Sequence, residues 1–432
     1  MADSLITRSS DPQISYDEVS VSHPDAIKMI LLAPLRKGSW YKVMALPDYR
    51  FLSPMSTVDP KTKIEKSKHA APAYTLSNLL RREEVIAGAI LPLLDWLDAY
   101  AADKKPMDLD HFFSYTTFDV VGEFAFSKRF GFLEQGKDIE NAIKSSKALS
   151  GYVSVAGFYG WIHNALLANP FITWLGVLPM GHLGNTTQKA LRDREGNEDA
   201  RFDAISHWFQ EHGQNPEGFT IRDIYAIALG AVGAGSDTVA CGLQSFVYHM
   251  IRHSSAWQRV QGELSDAKLV GRCGGRLVSY ADAQKLTYLQ ACIKESLRVF
   301  NPVPMGLPRL VPAGGLTVGN RTLPAGTIVS VSPSVMHRSK EIWGQDAHEF
   351  NPDRWFAKDT TSKEKYWIPF GAGYNSCPGQ NLAKVELSKI AATIVRDYDI
   401  CQVDGKEEWS WKAYFTVVPH SWPVFVQKRK TE

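Results

Sequence analysis

Apolar residues recur at helical spacing over most of the chain. A long pattern runs from Ile221 to Tyr248, and shorter ones cover Leu79 to Tyr100, Leu109 to Ala125, Asp203 to Glu211, Ala256 to Leu264 and Gly379 to Asp397. Between Tyr288 and Arg298, the residues Leu289, Cys292, Ile293 and Leu297 make one apolar face. The segment Asn301-Pro302-Val303-Pro304-Met305-Gly306-Leu307-Pro308-Arg309 breaks this rhythm, because closely spaced prolines forbid helix and impose an extended path. Short strands are expected at Lys42 to Leu46, Leu316 to Val331 and Tyr414 to Val426. Together these patterns predict a mainly α single domain with small peripheral β-sheets.

Two places in this pattern need a reason beyond packing. Inside the long helix lies Gly230-Ala231-Val232-Gly233-Ala234-Gly235-Ser236-Asp237-Thr238, where each of three glycines costs about 1 kcal/mol relative to alanine. Such a stretch lets a helix run close to a neighbouring surface, and a threonine hydroxyl bonding back to a carbonyl can open the helix locally. A tight helix crossing would use the same residues. The second place is Phe370-Gly371-Ala372-Gly373-Tyr374-Asn375-Ser376-Cys377-Pro378-Gly379, a single thiol between glycines immediately before a helical pattern. A cysteine there meets unpaired N–H groups and the positive end of a helix dipole, which favour the thiolate that binds iron. Gly373 and Gly379 would let the backbone turn sharply and approach a flat macrocycle, with Phe370 covering its proximal face.

This second segment resembles the signature of the cytochrome P450 family, Phe-x-x-Gly-x-[Arg/His]-x-Cys-x-Gly, at every fixed position except Asn375, which stands where the family has Arg or His against a haem propionate. The resemblance implies the cytochrome P450 fold, with a long central helix over haem b and Cys377 as the axial ligand to iron. It also makes Ala234-Gly235-Ser236-Asp237-Thr238 the distal motif, in which Thr238 positions dioxygen and water and Asp237 relays protons. O–O cleavage consumes protons, so such a relay has a physical purpose. Glu295 and Arg298, three apart and pointing the same way, match the Glu-x-x-Arg motif, and Arg354 in Asn351-Pro352-Asp353-Arg354-Trp355 matches the third member of its triad. Arg309 matches a propionate-binding position, its planar fork suited to a carboxylate. Lys63, Lys66 and Lys68 lie where the family often sets a basic group against a propionate, and the sequence does not choose among them.

Composition changes little in this picture. The 432 residues carry a net charge of +2 and are 44% hydrophobic, an ordinary globular balance with no basic block interleaved with aromatics to suggest nucleic acid. Five cysteines without CxxC pairing support neither a disulfide framework nor a zinc site. Residues 1–22 are polar and charged, and the resemblance begins only near Glu18. Residues 1–17 are therefore expected to form a divergent segment before a domain over 18–432, in a chain shortened at its start, with a sheet edge left exposed. Relatives with an anchor lie on the cytosolic face of the endoplasmic reticulum, and this chain is expected to be peripheral to the membrane or cytoplasmic. The tract from Gly157 to Gly181 has no Asp, Glu, Lys or Arg but is interrupted by His163, Pro170, Gly176 and Pro179. It falls where the family has its lid, and reads either as a monotopic membrane contact or as a core helix with a loop.

By resemblance, the substrate side comprises Ala45 to Thr57, the lid, Ala226 to Ala234, Val303 to Leu307 and Phe415-Thr416-Val417. These mostly apolar segments imply a lipophilic small molecule. The run Cys-Pro-Gly-Gln-Asn-Leu-Ala and the Pro-Asp-Arg-Trp form of the arginine motif point to the fungal secondary-metabolism group. The implied reaction is monooxygenation with O2, its electrons from an NADPH-dependent flavoprotein reductase. The alternatives are a haem-thiolate isomerase or dehydratase that does not use O2, or a shortened non-catalytic chain binding haem or a ligand.

Overall fold

The computed structural model describes residues 13–14, 17–45, 48–174, 181–195 and 203–430. Seven helices frame the interior: α1 Pro60–Ala70, α2 Glu83–Asp103, α3 Leu109–Phe126, α4 Ala142–Ala156, α5 Ile221–Arg252, α6 Thr287–Val299 and α7 Gln380–Asp397. The central one, α5, packs against α3, α6 and α7. It starts with a capping box in which Asp223 N donates to Thr220 Oγ1 and Thr220 N donates to the Asp223 carboxylate at 2.8 Å. Where α5, α6 and α7 meet, a Cβ on Gly242 would lie 3.2 Å from Leu387 and 3.3 Å from Leu297, so the close approach needs a glycine. Helix α3 is buried on almost every side, and its polar residues there are satisfied: Ser114, Thr116 and Thr117 donate back to carbonyls of the same helix, and Asp119 accepts from Gly131 N and Leu133 N. Both α2 and α5 are long and apolar enough to cross a membrane, but α2 packs on α3 and most of α5 is buried.

Nine strands among the described residues form small sheets around this frame. They are β1 Glu18–Ser20, β2 Arg309–Leu310, β3 Leu316–Val318, β4 Arg321–Leu323, β5 Ile328–Ser330, β6 Tyr398–Gln402, β7 Ser410–Ala413, β8 Val417–His420 and β9 Val424–Lys428. In the three-stranded sheet β1-β5-β2, β1 runs parallel to β5 with Glu18 opposite Ile328, and β2 runs antiparallel. The outer side of β1 carries one bridge, Gln13 to Val19. Of the segment expected over 1–17, residues 1–12 and 15–16 lie outside the described residues.

The expected helices form, except that Leu79 to Tyr100 is broken at Arg82 into Leu76–Arg81 and Glu83–Asp103, and the long one continues past Tyr248 to Arg252. The strand expected over Lys42 to Leu46 does not form. Ser39–Met44 is a 3₁₀ helix, because Trp40, Tyr41 and Val43 all turn inward and strand alternation would send one of them to solvent; Leu46 lies outside the described residues. The short strands expected over Leu316 to Val331 form as β3, β4 and β5, divided between two sheets, and Tyr414 to Thr416 is the turn of the β7–β8 hairpin, where Tyr414 N donates to Thr416 O at 2.9 Å.

The tract from Gly157 to Gly181 is neither a span nor a core helix in its described part. It folds as two short helices, Gly160–Ala165 and Pro170–Trp174, and residues 175–180 lie outside the described residues. Trp161, Phe171 and Trp174 are 72%, 78% and 81% exposed, beside exposed Phe158 and Tyr159. The first part of the tract is anchored: His163 is buried against the Tyr152 hydroxyl at 3.1 Å, and Gly157 lies so close to Trp40 that a Cβ would sit 2.2 Å from the indole.

Candidate functional site

Cys377 sits in a loop closed by its own backbone, its N–H donating to Phe370 O at 2.8 Å. Gly371 and Gly373 take positive φ of 69° and 65°, which forms the turn that presents the thiol just before α7. The Cys377 side chain is exposed to the space in front of it, with protein on its other sides. Burial pushes the thiol pKa up, while the backbone N–H groups of Gly379 and Gln380 pull it down, so burial outweighs the expected thiolate preference. Ligation of a cation would remove the proton outright. Phe370 packs edge-on to Trp367, with centroids 6.2 Å apart, and the Lys384 ammonium lies 5.7 Å from its ring. The two glycines serve different ends. A Cβ on Gly373 would lie 2.4 Å from Leu31 O, so its role is packing against residues 31–32, not approach to a macrocycle. A Cβ on Gly379 would meet only Cys377 Sγ, at 3.9 Å.

On α5 a short face opens inside a helix that is otherwise buried. Ala234 is exposed, Thr238 is partly so, and a Cβ on Gly230 would meet nothing within 4 Å. Gly235 points the other way, where a Cβ would lie 2.9 Å from Val121 on α3. One of the helix-interior glycines thus makes room on the open face and another makes the helix crossing. Thr238 Oγ1 donates to Ala234 O at 2.9 Å, and the helix remains regular through this bond. Asp237 is buried, its carboxylate has no hydrogen-bond partner among the described residues, and burial raises its pKa to about 6, with Lys147 on α4 pulling it down.

The predicted ion-pair network is built, with Glu295 and Arg298 fully buried and Arg354 at its edge. Arg298 clamps Glu295 with Nε and Nη2 at 2.9 and 2.7 Å, and Arg354 Nε donates to the same carboxylate at 2.9 Å. Trp355 Nε1 and Asn351 N also donate to this carboxylate at 3.0 and 2.9 Å, and Asp346 accepts from the outer side of Arg354 at 2.9 Å. Arg298 also donates to the carbonyls of His337, Ala347 and Glu349, tying α6 to the loop before Arg354. Asn351, Trp355 and Asp346 were not singled out in the sequence. Trp355 and Asn351 lie in the quoted arginine motif, but only the fold reveals the carbonyl partners.

Arg309 is fully buried, with Nη1 on Tyr41 OH at 3.1 Å and on the carbonyls of Pro308 and Leu307 at 3.0 and 3.3 Å, while its Nε has no partner. Of the three lysines on α1, Lys66 pairs with Asp223 and Lys68 with Glu65, whereas Lys63 turns inward to Tyr374 O. Asn375 has both amide atoms buried without partners. Orphaned polar atoms beside buried cations fit an anionic group held at this edge, as a haem with two propionates requires.

Segments expected on the substrate side do gather. Trp40, Tyr41, Val43 and Val153 form a separate apolar cluster, with Met55, Met305 and Phe415 packed against it, and Trp40 stacks on Phe415 at 5.5 Å. Trp40 and Val153 went unnoticed in the sequence, since nothing local marks them.

Comparison with known proteins agrees with this arrangement. The cytochrome P450 family model matches residues 14–418. Among curated relatives, the cytochrome P450 monooxygenase mpaDE of Penicillium roqueforti is 32% identical over 356 residues, which cover 80% of this chain and 42% of that protein. A cytochrome P450 monooxygenase of Aspergillus terreus is 31% identical, covering 78% of this chain and 70% of the relative, and asR2 of Sarocladium schorii is 29% identical over 95% and 84%. The chain spans less than half the length of the mpaDE relative it matches. The chain belongs to the cytochrome P450 family, whose members bind haem through an axial cysteine thiolate.

Proposed function

We propose that the domain over residues 18–432 is a haem-thiolate monooxygenase that inserts one oxygen atom of O2 into a lipophilic small molecule of fungal secondary metabolism. The observation that carries this reading is an open thiol at the head of α7 together with an opened small-residue face on α5, the helix packed against α7. Haem supplies the oxygen activation and transfer. Cys377 would hold its iron as a thiolate, with Phe370, Gly373 and Gly379 shaping the loop. Thr238 holds water and oxygen by hydroxyl contacts, and Asp237, buried and with its pKa raised to about 6, exchanges protons near neutral pH. Glu295, Arg298 and Arg354 keep the fold around the haem and take no part in chemistry. The substrate meets the apolar cluster of Trp40, Met305 and Phe415. Electrons come from an NADPH-dependent flavoprotein reductase. The exposed aromatics of residues 158–174 support a peripheral contact with the cytosolic face of the endoplasmic reticulum membrane.

The test is spectroscopic first. Purified protein, reduced under carbon monoxide, is expected to show the red-shifted Soret band of thiolate ligation, and Cys377→Ser to lose it. Turnover that needs NADPH, reductase and O2 together distinguishes this reaction from isomerisation or dehydration. A Cys377→Ser protein with unchanged spectrum and turnover would overturn the reading.

A further inference from the structure

Two ring nitrogens beside the apolar cluster are buried without a hydrogen-bond partner. Trp40 is 4% exposed and His163 6%, and neither Trp40 Nε1 nor His163 Nε2 is paired among the described residues. They belong to elements packed against one another: the 3₁₀ helix Ser39–Met44 carries Trp40, the short helix Gly160–Ala165 carries His163, and α4 packs on both. The indole is held in place. Phe415 stacks on it at 5.5 Å, and Gly157 lies over its pyrrole face, where a Cβ would be 2.2 Å from Cδ1 and 2.3 Å from Nε1. That contact covers the face of the ring and not the in-plane direction of its N–H.

The imidazole is fixed as well, together with its tautomer. Leu167 N–H faces the Tyr152 oxygen, so the Tyr152 hydroxyl gives its own hydrogen to His163 Nδ1, 3.1 Å away. Burial lowers the His163 pKa, which keeps the ring neutral at neutral pH. A neutral imidazole that accepts at Nδ1 carries its hydrogen on Nε2. Both orphaned atoms are therefore donors. An unmet buried donor costs about 1–3 kcal/mol, and two in one seam call for an acceptor from outside the chain. A carbonyl oxygen has two lone pairs and meets both. A hydroxyl would need an acceptor in turn, and a carboxylate would give up its hydration for donors without charge.

We infer that Trp40 Nε1 and His163 Nε2 together hold a carbonyl oxygen of the substrate, so that the enzyme selects lipophilic ketones, quinones or lactones over hydrocarbons of the same shape. This names the substrate class of the haem-thiolate monooxygenase reading above and rests on it. Val43, Val153, Met55, Met305 and Phe415 supply apolar walls for the remainder of the molecule. Both nitrogens are covered, so the oxygen enters when the helix Gly160–Ala165 lifts from Ser39–Met44, and once bound it bridges the two. Substrate thus holds the lid down.

The experiment compares fluorenone with fluorene, which differ by one carbonyl on the same flat frame. Binding to ferric holoprotein is followed by the Soret shift, and the carbonyl stretch of bound fluorenone by infrared difference spectra. Wild-type protein is expected to bind the ketone about 10-fold tighter than the hydrocarbon, with the stretch lowered from its value in hexane. Trp40→Phe and His163→Phe each remove one donor, and are expected to cut the preference to about 3-fold or less and move the stretch back toward the hexane value. Should these variants fail to fold, the wild-type stretch still decides: a value equal to that in hexane overturns the inference. Equal affinities for the pair, or a preference unchanged in both variants, overturn it as well. If neither compound binds, cyclohexanone and methylenecyclohexane repeat the comparison on a smaller frame, and a holoprotein that binds none of the four also overturns it. Wild-type protein that takes up no haem at all instead overturns the reading on which the inference rests.

Discussion

Single residues carry the proton and the ligand. Asp237 has an ordinary carboxyl pKa of 3.8 when unfolded and about 6 in the fold, with burial as the main cause. The folded chain thus binds this proton more tightly, and the resulting stability is complete below pH 3.8 and lost as pH rises through about 6. Asp237→Asn should therefore raise the thermal midpoint at pH 8, by the equivalent of about 2–3 kcal/mol, and leave it nearly unchanged at pH 3.5. Product formation at neutral pH should fall by about 10²-fold with the haem spectrum intact; unchanged turnover would remove Asp237 from the proton path. Asp237 and Thr238 were both legible in the sequence, because a motif fixes their neighbours. The burial that sets the pKa was not, since it depends on what packs over α5.

Helices divide the glycines of α5 between two jobs, and substitution separates them. Gly230→Ala adds a methyl into open space and should stabilise the helix by up to about 1 kcal/mol. Gly235→Ala drives a methyl to 2.9 Å from Val121 and should cost about 1–3 kcal/mol by pushing α5 off α3. Opposite shifts in chemical denaturation midpoints check the pair. Loss of the buried clamp on α6 is larger: Arg298→Met leaves Glu295 short of a partner and three carbonyls without donors, and should cost about 3–5 kcal/mol, seen as poor haem-loaded yield and a lowered midpoint. Spacing alone placed Glu295 and Arg298 on one side of a helix but equally allowed a solvated surface pair. Enclosure made the difference, and enclosure comes from Trp355, Asn351 and the carbonyls of a distant loop.

At the scale of the whole molecule, exposed aromatics gather in residues 158–174, where Phe158, Tyr159, Trp161, Phe171 and Trp174 all face solvent. Replacing Trp161, Phe171 and Trp174 with serine is expected to weaken sedimentation with phosphatidylcholine vesicles while leaving the fold and haem spectrum unchanged; equal binding would place the membrane contact elsewhere. The mainly α frame, the thiol loop and the small-residue stretch followed from the order of residues alone, because helical periodicity, proline and glycine act over a few neighbours. The same local logic failed at Ser39–Met44, where a 3₁₀ turn brings Trp40 into contact with Phe415, far along the chain. Nor could it choose among Lys63, Lys66 and Lys68, since all three lie on one helix and only their partners differ. Tertiary structure decided that Lys66 meets Asp223 and Lys68 meets Glu65, while Lys63 turns inward to Tyr374 O, close enough to Arg309 to feel its charge. Charge and desolvation act through space, so their balance exists only once distant segments have been brought together.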